Sequence, residues 1–159
     1  MNTKIGILSD THGFIRPEII KLMNQCDIII HAGDIIDAQT LQALKPKQKL
    51  IAIQGNNDVH ITHLNLIEKL NLPNGEIVIE HGHEHGVHQP SHDSLRAAHP
   101  NAKIIIYGHT HKQIIDQEKT PWVINPGAAG QVRNYGAAKC FVLEVSHSQE
   151  WKITPYTFA

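Results

Sequence analysis

The stretch KIGILSDTH, residues 4–12, contains the pattern on which the fold of this chain depends. An apolar run rich in β-branched residues is followed at once by polar and ionisable residues. The same pattern recurs in residues 27–34, 49–58, 76–83 and 103–111. Continuous apolar runs of this length are typical of β-strands that are buried on both faces. The sequence therefore predicts several buried strands, each ending in residues that can take part in chemistry.

Segments with helical character separate the first three of these strands. The segment from Pro17 to Gln25 has a proline near its start, and the segment from Asp37 to Leu44 begins with a residue that favours the N-cap. The resulting β-α-β-α-β order predicts a largely parallel sheet covered by helices. Pro73-Asn74-Gly75 predicts a hairpin turn, and a third helix is expected from Ser91 to His99.

The C-terminal third has a different pattern. Residues 112–117, 122–125, 138–145 and 151–157 include alternating apolar and polar positions, which favours antiparallel strands. We therefore expect an α/β fold in which two mixed β-sheets form a sandwich flanked by helices, with residues 1–159 in a single domain. Ligands of open α/β sheets bind outside the carboxyl ends of the strands, so the functional site is expected there.

The composition excludes several classes of protein. The 159 residues include 14 Lys and Arg against 15 Asp and Glu, and a net charge of −1 argues against long nucleic acid as a partner. Two cysteines, Cys26 and Cys140, cannot form a disulfide framework or a cysteine-rich zinc site. With no apolar run near the ~20 residues of a membrane span and no signal segment, we expect a cytoplasmic protein without a membrane partner. The 13 histidines indicate either a metal centre or a pH-sensitive surface.

The ionisable residues at the predicted strand ends form a set of nitrogen and oxygen donors. Two pairs are spaced i,i+2, so each pair would point the same way in an extended backbone. The set is too large for one tetrahedral zinc ion but suits two five- or six-coordinate ions that share a carboxylate. Two metal ions ~3.5–4 Å apart can stabilise both the attacking and the leaving oxygen of a phosphoryl transfer. The candidate metal ligands are Asp10, His12, Asp34, Asn56, His81, His109 and His111.

These residues lie in short blocks that resemble the signature of the calcineurin-like metallophosphoesterases. The blocks are Asp10-x-His12, Gly33-Asp34, Gly55-Asn56-x-Asp58, His81-Gly82-His83 and Gly108-His109-x-His111. With Asn125-Pro126-Gly127 and the short length, they resemble the small prokaryotic phosphodiesterase branch. The resemblance runs from residue 5 to about residue 130. It implies a four-layer α/β/β/α fold and a binuclear-metal-dependent phosphodiesterase, in which a metal-bridging hydroxide attacks a small phosphodiester directly.

The resemblance also implies how the ligands divide between two divalent ions. Asp10, His12 and His111 would bind one ion, Asn56, His81 and His109 would bind the other, and Asp34 would bridge both. Manganese is the expected ion, although nitrogen and oxygen donors equally suit Zn²⁺, Fe²⁺ or Ni²⁺. His81 is preferred to His83 as the ligand because it matches the family block, which leaves His83 as a neighbour that contacts the phosphate or supports the site.

One position departs from the family pattern. Many relatives have a histidine thought to protonate the leaving oxygen where this chain has Asn57. An amide can hydrogen-bond to an oxyanion but cannot deliver a proton at neutral pH. General acid catalysis is worth ~10²–10⁴-fold, so aryl or nucleotide-like diesters should react faster than alkyl monoesters. His60 or His83 is an alternative proton donor.

Two further residues, Asp58 and Arg133, are candidates for a role in the site, and two alternative functions compete with the phosphodiesterase. Asp58 is a candidate catalytic residue with Asn57 and His83, or else a support of the Asn56 loop. Arg133 is a candidate substrate contact or an ordinary surface residue. The competing functions are a protein-interaction scaffold on the same fold, as in the retromer subunit, and a metal buffer based on the histidines of residues 81–92, most of which are expected to be solvated. The resemblance further suggests self-association into a homo-oligomer.

Overall fold

The predicted strands form two five-stranded sheets in the computed structural model, which describes residues 2–86, 88–130, 137–148 and 150–159. The helices are α1 (Pro17–Met23), α2 (Ala38–Gln42) and α3 (His92–Ala98), with a 3₁₀ turn at His83–His85. The strands are β1 (Thr3–Leu8), β2 (Ile28–His31), β3 (Lys49–Ala52), β4 (Ile67–Leu72), β5 (Gly75–Glu80), β6 (Ile104–Ile106), β7 (Gln113–Asp116), β8 (Trp122–Pro126), β9 (Ala138–Val145) and β10 (Trp151–Phe158).

The first sheet has the strand order β10-β9-β1-β2-β3. Strands β1, β2 and β3 are parallel, with α1 and α2 as their connections, so the predicted β-α-β-α-β unit is confirmed. Strand β9 pairs antiparallel with both β1 and β10. The carboxyl ends of the three parallel strands therefore lie at one edge of this sheet.

The second sheet has the strand order β4-β5-β6-β8-β7. Strands β5, β6 and β8 are parallel, while β4 and β7 are antiparallel edge strands. The predicted hairpin is confirmed, because β4 and β5 pair directly with Leu72 opposite Gly75. The predicted antiparallel pairing of the C-terminal third is confirmed within β7–β8 and β9–β10, but the two pairs belong to different sheets.

Three apolar clusters give the fold its layers. The largest contains side chains of both sheets, such as Ile7 and Ile106, and so lies between them. A second packs α1 against the outer face of the first sheet and includes Cys26 and Cys140, both of which are free and buried. A third packs Leu95 of α3 against the outer face of the second sheet. The result is the expected α/β/β/α sandwich.

Side-chain caps define the starts of two helices. Asp37 accepts a hydrogen bond from Thr40 N–H (3.0 Å) and Ser91 from Ser94 N–H (3.2 Å), as the sequence predicts. Helix α1 ends at Met23, before the predicted Gln25. Asn24 is the C-cap, and its side chain bonds to the backbone of the loop after α2 at Ala43 and Lys45.

Within the described ranges, no helix combines the length and apolar character that crossing a membrane requires. The cytoplasmic location and the assignment of residues 1–159 to one domain stay predictions.

Candidate metal centre

The loops that follow β1 and β2 lie side by side and continue the pairing of these two strands. Their alignment brings the first three predicted ligands to the same edge of the sheet. Because the loops share hydrogen bonds, the positions of these side chains are fixed by the backbone itself. The bonds run from Asp10 N–H to Gly33 O (2.9 Å), from His12 N–H to Asp34 O (3.0 Å) and from Gly13 N–H to Ile35 O (2.9 Å).

Two groups of possible metal ligands meet at this edge. In the first, which consists of Asp10, His12 and His111, the Nε2 atom of His111 lies 3.3 Å from Asp10 Oδ1 and 3.2 Å from His12 Nε2. In the second, which consists of Asp10, Asp34 and His81, the Nε2 atom of His81 lies 3.4 Å from Asp34 Oδ2 and 3.8 Å from Asp10 Oδ1. Asp10 belongs to both groups, so the two groups adjoin.

Two buried atoms in these groups lack a hydrogen-bond partner, namely Asp10 Oδ1 and His81 Nε2. Buried polar atoms are nearly always paired, so each such exception requires an explanation. A divalent cation within the groups would satisfy both atoms at once. Imidazole nitrogens and carboxylate oxygens also form a donor set that suits Mn²⁺, Fe²⁺, Zn²⁺ or Ni²⁺. The residues present therefore fit a divalent metal.

Neighbouring groups orient these two side chains. His81 Nδ1 lies 2.8 Å from Ala32 O, to which its N–H donates, and this directs Nε2 at the site. The other oxygen of Asp10 accepts hydrogen bonds from the Ser9 hydroxyl (2.7 Å) and from His109 N–H (3.1 Å). These contacts leave Asp10 Oδ1 and His81 Nε2 directed at the site, where each can bind a metal.

Charge interactions between the acidic and imidazole groups are strong. Burial disfavours the charged form of His81, but the nearby carboxylates of Asp34 and Asp10 raise its pKa to about 9. Burial also opposes ionisation of Asp34, whereas the neighbouring His81 and the hydrogen bonds from Asn57 hold the pKa of its carboxyl below the usual value. Metal binding at His81 therefore has to release a proton.

Five of the predicted ligands adopt a left-handed backbone conformation. Such a conformation costs a residue other than glycine about 1–2 kcal/mol and is retained mainly at functional sites. The i,i+2 pairs are thus not extended, which corrects the expectation from their spacing; their side chains are brought to the site by sharp turns at the strand ends. The residues and φ angles are Asp10 (53°), His12 (49°), Asp34 (57°), His109 (72°) and His111 (65°).

The other two predicted ligands lie beside these groups. The His109 ring is 5.2 Å from the His81 ring, measured between centroids. Asn56 is exposed in the turn after β3, and this turn approaches Asp34 closely. A Cβ atom at Gly55 would lie only 2.3 Å from Asp34 N, so a glycine is required for the approach.

The candidate catalytic residues occupy different surroundings. Asn57 donates from its amide to Asp34 Oδ2 (2.8 Å) and from its backbone N–H to Asp34 Oδ1 (3.0 Å). The His83 ring lies 5.6 Å from the His81 ring and 6.4 Å from the His109 ring. Both side chains therefore border the site. Arg133 lies outside the described residues.

Asp58 lies in the interior and holds two loops together. Its carboxylate is fully buried and accepts hydrogen bonds from the N–H groups of Ile35 (2.8 Å), Ile36 (2.7 Å) and Gly55 (2.8 Å). Ile35 and Ile36 follow Asp34, while Gly55 precedes Asn56. The geometry thus supports the second role considered for Asp58, which is to position the loops that carry two candidate ligands.

Two histidines expected to be solvated are instead largely buried and hydrogen-bonded to other side chains, so that expectation is wrong for them. His92 lies between Asp116 Oδ2 (2.6 Å) and the Tyr107 hydroxyl (2.7 Å). His85 bonds to Ser94 Oγ (2.7 Å). The segment carrying them folds back onto the second sheet through α3, and only the tertiary structure brings their partners near.

His31, at the end of β2, is a fully buried residue that orients the neighbouring loops. Its Nδ1 accepts a hydrogen bond from Gly33 N–H (3.2 Å), so its Nε2–H is directed at Thr11 Oγ1 (3.0 Å). Burial lowers the pKa of His31 to about 4. The neutral imidazole therefore supports the loops on both sides of the candidate centre.

His31 is expected to contribute a loss in the free energy of unfolding of the metal-free protein as the pH falls from about 6.5 to 4, because the unfolded chain protonates His31 in this range while the folded chain does not. At pH 5 the contribution of His31 is a loss of about 2 kcal/mol relative to pH 7. Urea unfolding in chelator at both pH values measures it. The variant His31→Gln, which retains a donor and an acceptor, should lose less stability between these pH values; an equal loss in both proteins would contradict the assignment.

Comparisons with known proteins agree on one family. A family model described as the calcineurin-like phosphoesterase superfamily domain matches residues 3–148. A probable metallophosphoesterase of Methanocaldococcus jannaschii is 35% identical over 138 residues, which cover 78% of this chain and 67% of the relative. A phosphodiesterase of the same archaeon is 29% identical over 143 residues, covering 78% and 82%. The structure of Vacuolar Protein Sorting 29 from Cryptosporidium parvum has a TM-score of 0.79 over 99% of this chain and 98% of that one, and at 13% identity it shows likeness of fold.

Proposed function

The chain belongs to the calcineurin-like phosphoesterase superfamily and is a metal-dependent phosphoesterase, and from this premise we propose that it is a phosphodiesterase with a centre of two divalent ions. Asp10 Oδ1 is the main support for two ions, because it lies within reach of both groups of donors and has no hydrogen-bond partner of its own. A single ion would not need six or seven donors.

The proposed ligands divide as the family pattern implies. Asp10, His12 and His111 would hold one ion, and Asn56, His81 and His109 would hold the other. Asp34 would serve both ions, a role supported by the distances of its Oδ2 atom, which are 3.4 Å to His81 Nε2 and 3.9 Å to His12 Nε2.

The chemistry divides between the ions and the protein. When bound, two divalent ions lower the pKa of a water molecule and stabilise the charge on phosphoryl oxygens. The protein orients the donors through Ala32 O and Ser9, and Asn57 holds Asp34 by two hydrogen bonds. Because Asn57 cannot donate a proton to a leaving oxygen at neutral pH, the site favours leaving groups that depart without protonation.

The proposed substrate is a small phosphodiester with a stable leaving group, such as an aryl or nucleotide-like diester. A net charge of −1 does not favour the long phosphate backbone of a nucleic acid. We propose Mn²⁺ as the activating ion, which agrees with the donor set but is not selected by it.

Purified protein is expected to hydrolyse bis-p-nitrophenyl phosphate when Mn²⁺ is added and to lose this activity in chelator. Hydrolysis of an alkyl monoester should be slower by about 10² or more, because its leaving oxygen needs a proton. Release of p-nitrophenol and of inorganic phosphate measures the two rates. Activity that persists without metal would contradict the proposal, as would inactivity with each of Mn²⁺, Fe²⁺, Zn²⁺ and Ni²⁺.

A scaffold without catalysis is the competing function on this fold. The buried, unpaired atoms of Asp10 and His81 argue against it, since a scaffold gains nothing from their cost in free energy. Metal content of protein purified without chelator, measured together with turnover, distinguishes the two functions.

A further inference from the structure

A third group of metal-ligating side chains lies beneath helix α3, outside the proposed two-metal centre. It consists of Glu80, His85 and His99, whose ligand atoms all lie within 4.8 Å of one another. His85 Nε2 is 3.1 Å from Glu80 Oε1, and His99 Nε2 contacts Glu80 Oε2. One carboxylate thus faces two imidazole nitrogens.

Three separate elements bring these side chains together. Glu80 ends β5 and lies on the same face as Val78, which packs against Leu95 of α3. His85 ends the 3₁₀ turn, and His99 is the C-cap of α3. The group therefore lies on the α3 side of the second sheet.

We propose that Glu80, His85 and His99 bind a zinc ion. Two histidines and one carboxylate form an established zinc donor set, in which the fourth position is left to water. Ligands of a tetrahedral zinc ion at about 2.0–2.1 Å lie about 3.3 Å apart. The distance of 3.1 Å between His85 Nε2 and Glu80 Oε1 is close to this value.

A neighbouring hydroxyl supports His85 as a ligand. Ser94 Oγ lies 2.7 Å from His85 Nδ1 and can accept a hydrogen bond from the Nδ1–H group, which leaves Nε2 with the lone pair that a metal needs. Histidine ligands commonly donate their second ring N–H in this way. Ser94 Oγ thus orients His85 in the same way as Ala32 O orients His81 in the proposed two-metal centre.

The charge around Glu80 also suits a cation. Its side chain is only 7% exposed, and within the described ranges its ion pairs are with His85 and His99 and with no Lys or Arg. The two imidazoles are 15% and 10% exposed, so solvent and a metal ion can reach the group. A bound zinc ion would fix the 3₁₀ turn and the end of α3 to β5, one residue before His81.

The experiment counts zinc ions in the protein of residues 1–159. Wild type, His85→Gln and His99→Gln are loaded with ZnCl₂, desalted and analysed for metal and protein. Each variant is expected to hold one zinc ion fewer per chain than wild type. The control His88→Gln lies in the same histidine-rich segment but is exposed and outside the group, so it should hold as many ions as wild type.

The expected difference in zinc content between wild type and each variant is one ion, however many ions the proposed two-metal centre holds. The test can therefore fail or succeed independently of the test of the proposed function. Both variants should retain Mn²⁺-dependent phosphodiesterase activity. In ZnCl₂ about 100-fold above the dissociation constant, the Tm of wild type should rise about 5–10 °C more than that of either variant. Equal zinc content in wild type and both variants would overturn the proposal.

Circular dichroism verifies that the variants fold. If neither variant folds, the zinc content of wild type is compared with that of Asp34→Asn, which measures the share of the zinc held by the proposed two-metal centre. The proposal is overturned if wild type takes up no zinc beyond that share.

Discussion

Asp34→Asn is expected to lower kcat/KM for bis-p-nitrophenyl phosphate about 10³-fold or more. Asp34 Oδ2 lies 3.4 Å from His81 Nε2 of its own group and 3.9 Å from His12 Nε2 of the other group. An amide replaces one of the two oxygens with an N–H₂ group, which cannot bind a cation. Loss of several kcal/mol of charge stabilisation corresponds to a decrease of this size. Initial rates in saturating Mn²⁺ measure the effect.

A matched control distinguishes the effect of changing Asp34 from the effect of removing one negative charge elsewhere in the protein. Asp93→Asn makes the same substitution on α3, where the side chain is 79% exposed, and should leave the rate within about twofold. The metal content of Asp34→Asn should fall, while its circular dichroism spectrum should match that of wild type. Normal activity in Asp34→Asn would refute the bridging role.

Asp58→Asn is expected to lower the free energy of unfolding by about 3 kcal/mol. The buried carboxylate accepts three backbone N–H groups, two on Oδ1 and one on Oδ2. In the variant, either Gly55 N–H or the pair from Ile35 and Ile36 would face an amide N–H₂ group. A buried donor without an acceptor costs about 1–3 kcal/mol, and the charge-assisted bonds are lost in addition. For a chain of this size, the Tm should fall by about 6–12 °C.

Asp37→Asn is the control for this variant. Asp37 Oδ1 caps α2 by accepting hydrogen bonds from the N–H and the hydroxyl of Thr40, and asparagine is an equally good N-cap, so the Tm of this variant should change little. If Asp58→Asn loses activity without losing stability, Asp58 acts in the chemistry and not in the positioning of the loops.

Much of the fold follows from local pattern. The buried runs predict the parallel strands of both sheets because burial on two faces leaves little room for polar residues. Asp37 and Ser91 mark their helices because only a few side chains can cap the first turn. The family, too, is predicted from the order of short blocks at the strand ends, and the match to the family model confirms it.

Other parts of the site depend on long-range contacts, between residues far apart along the chain, that no local sequence pattern predicts. The left-handed turns at Asp10 and His109 arise from hydrogen bonds between loops. The pairing of Glu80 with His85 and His99 requires α3 to pack on the second sheet, so the sequence alone predicts solvated histidines there. In both cases the deciding interaction joins residues that are separated along the chain.

The hydrogen bonds between the loops after β1 and β2 have a consequence for the entropy of metal binding. Fixing the backbone of one residue costs about 1–2 kcal/mol at room temperature. The bonds from Asp10, His12 and Gly13 to the neighbouring loop meet this cost during folding, before any ion arrives. The coordination energy of Asp10, His12 and Asp34 is then available for holding the ion, since little disorder of the backbone remains to be removed.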